Sequence, residues 1–165
     1  MASFQKSKAV GSFGERVVQN YLKLAGIECE LNTDKSKRSD YDLVCKIGKK
    51  EFHIEVKLDW LCNETGNMAV EYQNEKNGLP SGILISKSHI WSVLVRDSEN
   101  WIVFMCKTSD LKRYTDANKG RTIIGAGDGN SNLWLYKLDD ILPIFTRIDN
   151  LNIEDLKKVI KGLLK

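Results

Sequence analysis

Apolar and polar positions along this chain follow two periods, and the places where one period gives way to the other mark the elements. Residues 11–25 carry apolar side chains at helical spacing, with Val18, Leu22 and Ala25 as the buried stripe, Ser12 as N-cap and Gly26 closing the far end. Extending the stripe backward lands on Glu15, a carboxylate where the pattern expects an apolar residue; the alternative is a first-turn Glu favoured by the helix dipole and facing water. Glu28–Leu31 reads as a short edge strand and 32–40 as a polar loop. Tyr41–Cys45 and Phe52–Val56 alternate with period two about Gly48, which predicts a hairpin. A strand over 67–73 puts Met68, Val70 and Tyr72 on one face, with Glu71 and Gln73 together on the other. A Gly- and Pro-rich turn follows, then a short helical turn capped by Ser86 or Ser88 before a strand at Val93–Val95. The remainder reads as an apolar strand at 101–107, a helix over 108–118, a Gly-rich connection at 125–132, a strand at 133–138 and a terminal helix striped by Ile153, Leu156, Val159, Ile160 and Leu163. Such an order predicts an α/β fold: a mixed central sheet with helix 11–25 on one face and the later helices around it.

The hairpin carries the chemistry. With Gly48 and Lys49 as a two-residue type II′ turn, Asp42 stands opposite Glu55 and Asp40 opposite Lys57, all four on one face, while Phe52, Ile54 and Val56 point the other way. Opposed Cβ atoms lie roughly 5 Å apart, so two carboxylates placed there repel unless a cation lies between them. Hard oxygen ligands of this kind suit Mg²⁺, which keeps positions for water and phosphate. Lys57 reaches the same spot, where it would orient or deprotonate a water or neutralise charge on a phosphate. The bland alternative is a solvated strand face of alternating charge. His53 shares the carboxylate face, placed either to touch substrate or to serve as a hydrogen-bonded structural residue.

Composition narrows the setting without deciding it. A chain of 165 residues with 42% hydrophobic content fits one domain spanning 1–165, and a net charge of +3 permits a basic groove without requiring one. Cys29, Cys45, Cys62 and Cys106 form no CxxC or CxxH pair, so free thiols in a reducing cytosol are expected. The N-terminus lacks an apolar signal core and no run approaches about 18 apolar residues, which reads as a soluble cytoplasmic protein that is not exported. The Gly-rich 125–132 stretch lacks the Lys-Ser/Thr of a phosphate-binding loop and the third Gly of a dinucleotide fingerprint, so both nucleotide readings are rejected.

Asp42 followed by Glu55-Val56-Lys57 resembles the signature of the PD-(D/E)XK nuclease superfamily, although Tyr41 stands where the family usually has Pro. The run G-E-R-V-V-Q-N-Y-L around Glu15 resembles the first helix of archaeal Holliday-junction resolvases, and the order E-T-G-N…E-Y…P-S-G-I…H-I-W over about residues 10–95 is similar to small phage-encoded members of the superfamily. This resemblance implies a restriction-endonuclease-like core within 11–107 and a Mg²⁺-dependent endonuclease cutting DNA, with Mn²⁺ able to substitute. It implies Asp42, Glu55, the Val56 carbonyl and Glu15 as metal ligands and Lys57 beside the attacking water. If the chain is phage-encoded, its place is the host cytoplasm and its substrates are junctions or specific duplex sites. Lys35, Lys37 and Arg38 are candidate phosphate contacts beside the site, Gln73 a further DNA contact, and the 125–132 loop a candidate DNA-facing segment. Cutting two strands implies a homodimer or larger assembly, with the terminal helix as one candidate interface. The competing readings are a catalytically silent nucleic-acid-binding protein that keeps the fold and a structural partner-binding subunit.

Overall fold

The computed structural model describes residues 2–34, 36, 40–126 and 129–165, with side chains from Ser12 onward. Lys35, Lys37 and Arg38 lie outside the described residues, as do two positions of the Gly-rich loop. In chain order the elements are α1 (Ala2–Leu24), β1 (Glu28–Leu31), β2 (Leu43–Ile47), β3 (Lys50–Asp59), α2 (Cys62–Thr65), β4 (Asn67–Asn74), β5 (Ile90–Asp97), β6 (Asn100–Lys107), α3 (Thr108–Ala117), β7 (Arg121–Ala126), β8 (Ser131–Lys137), α4 (Leu138–Ile141), β9 (Thr146–Arg147) and α5 (Ile153–Leu163).

Six strands form the main sheet in the order β1-β2-β3-β5-β6-β9. Only the β3–β5 pair is parallel; the chain between them crosses over through α2, β4 and a 3₁₀ turn at Gly82–Leu84. One face of this sheet packs on α1 and α5. There the hairpin's apolar residues Phe52, Ile54 and Val56 meet Val18, Leu22, Leu156 and Ile160 in one buried cluster. Leu156 and Ile160 of α5 are therefore spent on the protein's own core, with Val159 and Leu163 packed against it and Ile153 exposed.

Three expectations are corrected here. Ser12 is not an N-cap, because α1 starts at Ala2 and Ser12 lies inside it; the residues before it contain no Pro, and an interior Gly costs a helix only about 1 kcal/mol. The helical turn expected just before the Val93 strand is instead the 3₁₀ turn at Gly82–Leu84, and β5 begins at Ile90. Strands β4, β8 and β7 do not join the central sheet but form a second, three-stranded sheet, whose Met68, Val70 and Tyr136 pack with Trp91, Val93, Cys106 and Leu111 on the main sheet's other side. Strand periodicity shows which face is apolar, not which sheet receives it. Cys29 and Cys45 face each other across β1 and β2, with Cα atoms 4.0 Å apart, whereas Cys62 and Cys106 are free and buried. Strand pairing alone brings the first two together.

Candidate metal-dependent active site

The β2–β3 hairpin folds in the register read from its sequence: Leu43 pairs with Ile54, Cys45 with Phe52 and Ile47 with Lys50. Gly48 makes the turn at φ 61°, a conformation that suits glycine. Asp42 sits one residue beyond the last pair. Its N–H donates to the Ile54 carbonyl (3.0 Å), and its Oδ2 accepts the Val56 N–H at 2.7 Å. The backbone thus clamps Asp42 beside Glu55, while Val56 buries its side chain in the opposite cluster.

Glu55 is 6% exposed. Its Oε1 holds the Lys57 ammonium at 2.7 Å, and its Oε2 is buried with no hydrogen-bond partner among the described residues. Burial raises Glu55 to about 7 against the pull of Lys57, with Asp42 and Glu71 pushing the same way as burial. Burial likewise raises Asp42 to about 6; Lys57 and the Val56 N–H oppose this, and Glu15 adds to it. Glu15 on α1 therefore lies near enough to act on Asp42. The helix meets β3 and β5 at Gly14, where a Cβ would make ordinary contacts with Leu58, Val56 and Leu94 at 3.6–3.8 Å. For Lys57 burial works against the charge, but Glu55, Glu71 and Asp42 outweigh it and keep the ammonium protonated. Its Nζ also lies 5.5 Å from the centre of the buried Trp91 ring.

Other predicted residues are placed differently. Asp40 pairs with Lys87 at 3.0 Å and not with Lys57, because it lies in a turn before β2 begins. Gln73 spends its amide within the protein, donating to the Gly78 carbonyl (2.7 Å) and accepting from Asn132 (2.9 Å). The ring of His53 stacks on Tyr41 at 3.9 Å, and its backbone N–H donates to His89 Nδ1. Glu71 enters the site from β4, its Oε2 3.9 Å from Lys57 Nζ. Alternation along β4 offered that face, but its contact with Lys57 depends on where the second sheet docks. Beyond Lys57 and Glu71 a cavity of about 510 Å³ continues between the tail of β3 and the second sheet, walled by Trp60, Leu61, Leu133 and Leu135.

The donor set suits a small hard cation. Among the described residues no three His, Cys, Asp or Glu side chains gather into a ready-made cage. Mg²⁺ asks for less, one or two carboxylates with the remaining positions left to water and substrate. The orphaned Glu55 Oε2, buried beside a second carboxylate, is the atom such an ion would satisfy.

Among solved structures, that of a bacterial homing endonuclease, I-Ssp6803I, is similar over 95% of this chain and 92% of its own, with a TM-score of 0.53 and 16% identity. The two chains share a fold. No family model matches this sequence, and no curated protein does. Among the described residues no helix is long and apolar enough to cross a membrane.

Proposed function

We propose that this protein is a Mg²⁺-dependent endonuclease of the PD-(D/E)XK type that hydrolyses phosphodiester bonds in DNA. The observation that carries the reading is Glu55: a buried carboxylate with one oxygen on Lys57 and the other unpartnered among the described residues, next to a second carboxylate that the backbone clamps in place. A solvated strand face has no reason to bury that arrangement. The similar solved structure, a homing endonuclease, favours DNA as the substrate.

Asp42, Glu55 and the Val56 carbonyl would hold the ion, with Glu15 adding charge from α1. The chemistry a bound Mg²⁺ supplies is polarisation of a phosphoryl oxygen and a more acidic water. Lys57 stays an ammonium among its carboxylates, so its part is to orient the water and to neutralise charge developing on the phosphate rather than to take a proton. Lys35, Lys37 and Arg38, in the loop leading to Asp42, are assigned to the phosphate backbone. The substrate is a specific duplex site or a junction, cut by paired copies of the chain.

Glu55→Gln and Asp42→Asn test this. Each is expected to lower Mg²⁺-dependent cleavage by about 10²-fold or more while leaving DNA affinity and the circular dichroism spectrum unchanged. Wild-type turnover in either variant would remove the metal-site assignment.

A further inference from the structure

Lys57 is gripped from two sides, and the second grip is built by a turn with no part in the roles above. Glu55 Oε1 lies 2.7 Å from the ammonium and Glu71 Oε2 3.9 Å from it. Glu71 is itself fixed: its Oε1 accepts the Ser81 hydroxyl at 2.6 Å. The Ser81 N–H donates to the Tyr72 carbonyl at 2.9 Å, and Gln73 bridges to Pro80, so the whole turn is fastened along β4. At Gly82 the fit admits no side chain. Its φ is 50°, and a Cβ there would lie 2.3 Å from the Glu71 carbonyl oxygen and 2.8 Å from the Glu71 Cβ. The Pro-Ser-Gly turn is thus pressed onto Glu71, the β4 residue whose carboxylate meets Lys57.

We propose that Glu71, locked by the Ser81 hydroxyl, is a positioning residue that holds the Lys57 ammonium beside Glu55. A lysine has a flexible four-carbon stem and about 2 kcal/mol of rotamer entropy to lose. Glu55 alone is a poor anchor for it, because a carboxylate that shares its charge with a cation attracts the ammonium less. Glu71 reaches Lys57 from a different strand, β4, with its other oxygen held by Ser81. The Trp91 ring adds a further contact, its centre 5.5 Å from the ammonium.

The inference rests on the endonuclease reading, and its test separates the two. Glu71→Gln keeps the shape and an oxygen for Ser81 but removes the charge. On a labelled DNA duplex it is expected to lower kcat about 10²-fold, as a misplaced catalytic group does, with KM unchanged. Ser81→Ala is expected to give a smaller loss that Ser81→Thr restores. Added to Glu71→Gln, Ser81→Ala is expected to cost nothing more, because it acts through Glu71. Additive losses, a change confined to KM, or wild-type kcat in Glu71→Gln would overturn the proposal. A crystal structure of Glu71→Gln reads the same point without turnover: Lys57 Nζ is expected to leave Glu55, and an unmoved Lys57 would overturn it. Should the wild-type chain cut no DNA, the endonuclease reading falls, and the position of Lys57 still decides this one.

Discussion

Asp42 and Glu55 are held where burial opposes their ionisation, and that has a thermodynamic signature apart from catalysis. Glu55 is raised from 4.5 to about 7, so between those values the folded protein binds more protons than the unfolded chain. Stability therefore falls as pH rises through this window, and the full cost stands above it. Asp42, raised to about 6, acts in the same direction, whereas His89, whose pKa burial lowers, acts in the opposite one. The comparison that isolates Glu55 is wild type against Glu55→Gln. Across a series of calorimetric scans from pH 5 to pH 8, the variant is expected to lose much of the downward slope and to be more stable at pH 8 by on the order of 2 kcal/mol. Mg²⁺ is expected to raise the wild-type Tm at pH 8 and to do little at pH 5, where the carboxyls are protonated. Parallel slopes in the two proteins would mean that Glu55 titrates normally. These residues were legible in the sequence because the spacing of a two-residue hairpin fixes who faces whom. The face of Glu71 was legible from alternation along its strand, but Ser81 and the contact with Lys57 were not, since these come from a docking between sheets that no local spacing encodes.

At the level of elements, the hairpin and α1 set the site together, and Gly14 is where they touch. A Cβ at Gly14 would make ordinary contacts at 3.6–3.8 Å, and nothing closer. Gly14→Ala is therefore expected to fit and, by improving helix propensity, to stabilise by up to about 1 kcal/mol. Gly14→Leu has no room beyond the Cβ and is expected to cost about 1–3 kcal/mol as α1 is forced off β3. It should also weaken cleavage more than stability alone explains, because Glu15 moves with the helix. Thermal denaturation of both variants checks this, and a Leu variant as stable as the Ala variant would show that the contact is loose. The stripe of Val18, Leu22 and Ala25 was readable from period alone, and so was the apolar face of the hairpin. The extra turns of α1 before Ser12 were not, because no Pro or strong cap marks where it begins. Nor was β7, whose Arg121–Ala126 run is largely open to solvent and lacks the alternation that reveals a half-buried strand.

For the whole molecule, a main sheet sandwiched between helices on one face and a second small sheet on the other places the Asp42–Glu55 end of β2 and β3 beside a cavity. The α/β class and the mixed sheet could be inferred from the order of elements. The division of the strands between two sheets could not, since β4 reads like any other half-buried strand until its partners are known. On the endonuclease reading one site per chain would cut one strand, so two-strand cleavage would call for a paired assembly. Leu156 and Ile160 of α5 are buried in the protein's own core and are not open to a second copy. Light scattering at micromolar concentration is expected to give twice the 18.8 kDa of one copy; a single-copy mass with intact double-strand cleavage would discard the pairing.

The Gly48 turn gives the hairpin an arithmetic that bears on how such a gene can change. Side chains alternate faces with each residue, and Asp42 and Glu55 share a face only because an odd number of steps is never added between them and the turn. Along β2 and β3, a three-nucleotide insertion, ordinarily among the mildest of coding changes, would carry a carboxylate into the apolar core or have to be expelled as a bulge. Drift in this segment is thus confined to substitutions. The spacing from Asp42 to Glu55 should stay fixed in descendants of this sequence long after the residues between them have changed.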